Sequence, residues 1–138
     1  MKKAIVAGAF ALVSAATCLV VAPSASATAN ACVTSKILTG GPESVGTTVR
    51  KSSTSSCSDL NLTYTDDAGA SGYDGYAGRL YHTASSSWVT CDAGYVWAND
   101  GSHSAGDKTY WLCTGVADNA LFTVASATHG GDTVHITH

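Results

Sequence analysis

Five histidines, His82, His103, His129, His135 and His138, are the side chains of this sequence best suited to moving protons near neutral pH. General acid–base work wants such an imidazole oriented by a carboxylate. The carboxylates available are Glu43 and nine aspartates, most of them beside glycine in turn contexts. Glu43, Arg79 and one histidine would make a ribonuclease-like set, but no G-x-S-x-G elbow, H-E-x-x-H helix or nucleophilic free thiol accompanies them. A small secreted hydrolase or nuclease using one histidine is therefore the alternative function and not the first. His135 and His138 are three apart, which sends them to opposite faces of a strand and argues against a metal pair.

Asp66, Asp67, Asp74, Asp100 and Asp107 fall in two glycine-containing stretches, "YTDDAGASGYDGY" and "WANDGSHSAGD". Hard cations such as calcium want several oxygens from one compact loop. Neither stretch fits the D-x-[DN]-x-[DN]-G frame closed by a glutamate, so these aspartates are expected to shape turns. No metal and no cofactor are expected.

Aromatic residues offer recognition instead of catalysis. Tyr64, Tyr73, Tyr76, Tyr81, Trp88, Tyr95, Trp97, Tyr110 and Trp111 all lie between positions 64 and 111. Such rings stack on sugar faces and anchor protein interfaces at little rotamer cost. A small β domain with almost no phenylalanine also needs them as core. The tryptophans are assigned first to the core, Trp111 most firmly because it shares a strand face with Cys113. Trp88, just after "ASSS", is the one nearest the surface, and Tyr73 and Tyr76 in the glycine-rich stretch are expected to make contacts. The candidate binding residues are thus Tyr73, Asp74, Tyr76, Arg79 and Trp88, with Arg50-Lys51 or Arg79 able to face a protease.

What positions them is a set of short strands. "DLNLTYT" alternates Leu60, Leu62 and Tyr64 against Asn61, Thr63 and Thr65, and "DTVHITH" alternates Val134 and Ile136 against Thr133, His135 and Thr137. "SVGTTVR", "ALFTVAS", "GRLYH", "WVTC", "GYVWA" and "TYWLC" complete eight candidates, bounded by Gly, Asp, Asn and Ser. Period-two alternation over a few residues predicts half-buried antiparallel strands. No stretch reads as an amphipathic helix. The fold class is all-β, a small antiparallel barrel or sandwich of about seven or eight strands. Residues 65–78 and the stretch from Trp97 to Thr109 are expected to be long loops, where binding usually resides.

The chain opens "MKKAIVAGAFALVSAATCLVVAPSASA", a basic start, an apolar run and an A-x-A site at Ala25–Ala27. Residues 1–27 are expected to be a cleaved export signal, with the cut falling as late as residue 31, and 28–138 one secreted β domain. Removing 27 of 138 residues leaves 111, enough for one domain. Lys2 and Lys3 leave with the signal, so five Lys/Arg of the original seven face ten Asp/Glu and the charge is −5. That excludes nucleic acid, which needs cations to displace phosphate counterions, and disfavours an anionic membrane.

Cys18 is lost too, leaving Cys32, Cys57, Cys91 and Cys113. The gaps of 24, 33 and 21 residues contain no C-x-x-C, so two disulfides are expected rather than zinc. Three pairings are possible; Cys32–Cys57 with Cys91–Cys113 is favoured because it staples neighbouring hairpins. Each would contribute about 3–4 kcal/mol in the chain-entropy model.

In its signal, size and Gly/Ser/Thr-rich β composition the chain resembles the small disulfide-stapled exported proteins of actinobacteria. Several of those are enzyme inhibitors, which the resemblance carries over as an expectation without any contact residue. "LNLTYTDDAGASGYDGYAGRLYHTASSSW" is also similar in outline to bacterial SH3-like wall-binding modules, with Thr63 where they carry arginine. The function expected is a secreted, monomeric, non-catalytic binding protein for an extracellular protein or polysaccharide, an inhibitor of a secreted hydrolase being its most specific form. A wall-associated structural protein is a further alternative.

Overall fold

The computed structural model describes residues 31–54 and 56–138; the expected signal and most of its cleavage region lie outside them. Ten strands follow one another: β1 (Thr34–Leu38), β2 (Val49–Arg50), β3 (Leu60–Asp66), β4 (Tyr73–His82), β5 (Ser87–Thr90), β6 (Val96–Asn99), β7 (Gly101–Ser102), β8 (Trp111–Cys113), β9 (Leu121–Ser126) and β10 (Thr133–Thr137). Helical structure among the described residues is one 3₁₀ turn, Lys108–Tyr110, capped by the Asp107 carboxylate accepting from Thr109 N–H.

The strands form two antiparallel sheets. In the first, β1, β10 and β3 are neighbours, and β7 and β8 share the far edge of β3. In the second, β2, β9 and β4 are neighbours, and β5 and β6 share the far edge of β4. The sheets do not close into a barrel; the architecture is sandwich-like. Ile37, Leu60, Leu62, Val134 and Ile136 from one sheet meet Tyr76, Phe122 and Val124 from the other, all fully buried.

Both disulfides form as the favoured pairing, Cys32–Cys57 and Cys91–Cys113. The second is a bolt between layers, because Cys91 directly follows β5 of one sheet and Cys113 ends β8 of the other. It crosses over β4 at Gly78, where an added Cβ would overlap Cys113 Sγ and approach Leu112 Cβ to 3.1 Å.

That close approach corrects the expected loop at 65–78. β4 begins at Tyr73, so the connection is only Asp67 to Gly72, and Gly75 and Gly78 are strand glycines. Glycine inside a strand marks a place where something packs directly on the backbone. Here those things are the Trp97 ring and the disulfide.

Other expectations shift for similar local reasons. "SVGTTVR" pairs only at Val49–Arg50, because Gly46 folds against the backbone of Leu38–Gly40 and Thr47 N–H bonds Leu38 O at 2.8 Å. β1 and the two-residue β7 carry too little alternation to be read in advance. In β3 the register slips between His135 and Ile136 of β10, which leaves Thr63 outside the pairing. The extra residue reverses the faces beyond it. Leu62 and Thr65 are therefore both fully buried, and Tyr64 turns outward against His135, ring centroids 4.8 Å apart.

Gly78→Ala is expected to cost about 1–3 kcal/mol through overpacking against the disulfide. Urea unfolding should show a lower midpoint with unchanged slope. Gly106→Ala is the control, since its Cβ would meet only Ser104 Oγ at 3.8 Å.

Candidate functional site

The five histidines divide sharply by surroundings. His103 stacks on Tyr110 with centroids 4.2 Å apart, and its Nε2 lies 2.9 Å from Thr65 Oγ1. His138 is buried: its Nδ1 accepts from Ser52 N–H at 2.9 Å, so the neutral ring carries its proton on Nε2, 2.9 Å from Ser35 Oγ. Its ring stands edge-on to Phe122, and its backbone exchanges both hydrogen bonds with Val33. Burial holds both imidazoles below their ordinary range, and the charge of Lys51 adds to this at His138. These are structural histidines. His82 is exposed on the rim of a groove of about 270 Å³ that runs past Leu80, Val89 and Trp111.

His129 differs. Its Nε2 lies 3.4 Å from Asp67 Oδ1 and its Nδ1 3.4 Å from Asp132 Oδ1. Among the described residues it is the one histidine within ion-pair distance of a carboxylate. Asp67 and Asp132 belong to the β3–β4 and β9–β10 connections, each of which carries the chain from one sheet to the other at the same end of the sandwich. Asp74, near the start of β4, completes the group. The candidate ligand atoms of Asp67, Asp74, His129 and Asp132 all lie within 4.8 Å of one another, and the three aspartates are buried.

Hydrogen bonds hold these carboxylates in place. Asp67 accepts from Gly69 N–H at 2.8 Å and the Ser71 hydroxyl at 2.6 Å, which hold it below the usual carboxylate range. Asp74 Oδ1 accepts from Gly75 N–H, and from the N–H and hydroxyl of Thr128. Asp132 accepts from Ala68 N–H at 2.8 Å and from the Ser126 hydroxyl. Asp100 joins from the β6–β7 link, its Oδ1 accepting Asp67 N–H at 2.7 Å. Asp67 and Asp100 do shape turns as expected, but Asp66 and Asp74 do not: they sit in strands β3 and β4.

The expected contact residues are scattered by the fold. Tyr73 is exposed, as anticipated. Asp74 and Tyr76 point inward from β4 and are buried, so neither serves as an exposed contact; alternation along the strand puts them on the face opposite Tyr73. Arg79 is not free to face a protease: Nη1 donates to Glu43 O and Ser44 O, and Nη2 to Trp88 O. It clips the 41–46 segment onto the sheet, and Tyr95 Oη assists by accepting Glu43 N–H at 3.0 Å. Lys51 is buried as well, paired with Asp118 at 3.2 Å, which removes Arg50-Lys51 as an inhibitory edge. Trp88 is half-buried against Tyr81, centroids 5.3 Å apart.

Trp97, assigned to the core from sequence, is instead 50 % exposed. It stacks with Tyr73 at 5.5 Å and an interplanar angle of 25°. The reason is Gly75, its partner across the ladder: a Cβ there would stand 3.1 Å from Trp97 Cε2. Without one, the indole lies on the strand backbone and turns its other face to solvent. Trp111, also assigned to the core, is half-buried, its Nε1–H bonding Ala105 O at 2.9 Å.

No family model, curated protein or solved structure matches this chain. Sequence reasoning missed Asp132, held His129 only as one of five histidines able to move a proton, and placed Trp97 in the core. "THGGD" carries no metal or catalytic spacing, and only the paired crossovers bring it to Asp67 and Asp74. The Trp97–Gly75 pairing was legible in principle as an aromatic opposite a strand glycine, once the register was known.

Below the ordinary histidine value of 6.5, the unfolded chain takes up protons that half-buried His103 and buried His138 refuse. Stability is therefore full above about pH 7 and falls as pH drops through 6.5. Asp67, depressed in the fold, adds a loss in stronger acid, below its ordinary 3.8. Thermal melts should show a plateau from about pH 7 to 8 and a decline towards pH 5, shallower in His103→Gln/His138→Gln. A flat profile from pH 7 to 5 would contradict the neutral assignment.

Proposed function

We propose that this is an exported, non-catalytic binding protein whose contact surface is the outer face of the second sheet, with polysaccharide as its ligand. The observation that carries the reading is the Tyr73–Trp97 stack, two large rings 45 % and 50 % exposed and with nearly parallel planes. A ring flat on a β-sheet offers its π face to the C–H face of a sugar, with little side-chain freedom left to lose on binding. The Tyr81–Trp88 pair lies on the same face of β4, six residues along from Gly75, or roughly 20 Å away at the rise of an extended strand. Two aromatic stations at that separation suit an extended chain better than a single small molecule.

A polysaccharide is favoured over a protein partner because this face gathers aromatic rings while its arginine is engaged in holding the chain. Export fits the two disulfides, which persist in oxidising surroundings. No helix of the described residues is long and apolar enough to cross a membrane.

Retention on insoluble cellulose, chitin and isolated bacterial cell walls, measured by depletion of the exported chain from solution, tests this. At least one is expected to retain it, with Trp97→Ala and Tyr73→Ala each weakening binding about tenfold, or 1.4 kcal/mol. Both side chains are exposed, so circular dichroism should be unchanged. Failure on every glycan, with a secreted hydrolase captured from culture fluid in 1:1 ratio, would replace this reading by the inhibitor one.

A further inference from the structure

We propose that Asp67, Asp74, His129 and Asp132 bind one divalent transition-metal ion, of the zinc or manganese type, at the end of the sandwich where the two crossovers meet. Three buried carboxylates within 4.8 Å of one another and of a single imidazole set a strong negative potential in a poorly solvated place. The imidazole within reach is that of His129, and neither of its contacts, both at 3.4 Å, is a good hydrogen bond. Its Nδ1 is buried and makes none, although Asp132 Oδ1 is 3.4 Å away. Nitrogen and carboxylate oxygens thus face a common point without satisfying one another.

The independent observation is Tyr76. It is fully buried, yet its hydroxyl has no hydrogen-bond partner. A phenol in that state loses about 1–3 kcal/mol relative to a partnered one, so an orphan in the heart of a core calls for a missing partner. Tyr76 sits two residues after Asp74, on the same inward face of β4. Its hydroxyl is thus an unsatisfied donor on the strand face that carries Asp74, where a cation held by the carboxylates, or a water on that cation, would engage it.

Donor chemistry selects the ion. Calcium and magnesium prefer all-oxygen shells, whereas an imidazole among carboxylates suits zinc or manganese. Donor atoms that all lie within 4.8 Å of one another can gather round one ion at about 2.0–2.2 Å once small loop movements draw them together. Hydrogen bonds from Gly69, Thr128, Ala68 and Ser126 to the carboxylates supply the outer support that metal ligands need. Asp74 Oδ2 has no better contact than Thr128 N–H at 3.4 Å, which leaves that oxygen available.

This inference is independent of the aromatic face. The test uses the tag-free exported chain, treated with EDTA and then freed of it, titrated calorimetrically with ZnCl₂, MnCl₂, CaCl₂ and MgCl₂ at pH 7. Zinc or manganese is expected to bind at one equivalent and, at a hundredfold excess over Kd, to raise Tm by about 5 °C or more. His129→Ala, whose side chain is 42 % exposed and whose removal leaves the fold intact, should weaken binding at least tenfold. Tyr76→Phe, which keeps the ring, should bind more weakly while remaining as stable as the parent without metal. The proposal is overturned if the folded parent binds neither zinc nor manganese, if His129→Ala binds as tightly as the parent, or if calcium alone binds.

Discussion

A chain that crosses between two sheets must leave one hydrogen-bonded ladder before it enters the other, and the backbone amides stripped in between still need partners. That requirement governs one whole end of this protein. The N–H groups of Asp67, Ala68, Gly69, Gly75 and Thr128 are all taken by aspartate oxygens, from Asp100, Asp132, Asp67 and Asp74. An unpaired buried amide is costly, and a carboxylate is a stronger acceptor than a carbonyl. Meeting the backbone's need with short acidic side chains from several segments concentrates negative charge at their meeting point. The same crossovers bring the His129 ring within 3.4 Å of Asp67 and of Asp132.

Strand β4 obeys a second constraint, felt on both of its faces. There the strand runs past bulky groups at two glycines, the disulfide on the inner side at Gly78 and the indole of Trp97 on the outer side at Gly75. One strand thus presents acids and a phenol inward near its start, a cross-layer bolt in its middle, and aromatic rings outward along its length. Alternation of side chains keeps these roles apart without any additional element. Arg79, facing outward among them, ties two carbonyls of the 41–46 segment to one of β5, so this face has a fixed border.

Much of this was legible in advance, and the limits have physical causes. Alternating runs such as "DTVHITH" and "ALFTVAS" predict β10 and β9 because one face of each is fully buried, and Val134 and Ile136 lie inward as expected. Of the three cysteine pairings left open, the favoured one is the one formed. The face of Tyr64 did not, because a bulge resets alternation and leaves no trace in composition. Glycine-rich sequence around Tyr73 and Tyr76 suggested a loop; glycine serves turns and close approaches alike, and only tertiary packing separates the two. The acid–imidazole group was beyond reach for a further reason, since Asp67 and Asp132 lie 65 positions apart. No local pattern encodes a meeting made by two separate crossovers.

The way each sheet ends has a bearing on behaviour at high concentration. Beyond the long central strands β3 and β4, the boundary is made of paired short pieces, β7 with β8 and β5 with β6, while β2 closes another side with two residues. The longest outer strand, β1, carries Lys36 at its centre. Interrupted margins offer a foreign strand too few consecutive amides and carbonyls to nucleate on, and a lysine adds a desolvation penalty to any attempt. A molecule whose regular structure is almost wholly pleated ribbon is thereby protected against fibrillar self-assembly by the brevity of its borders.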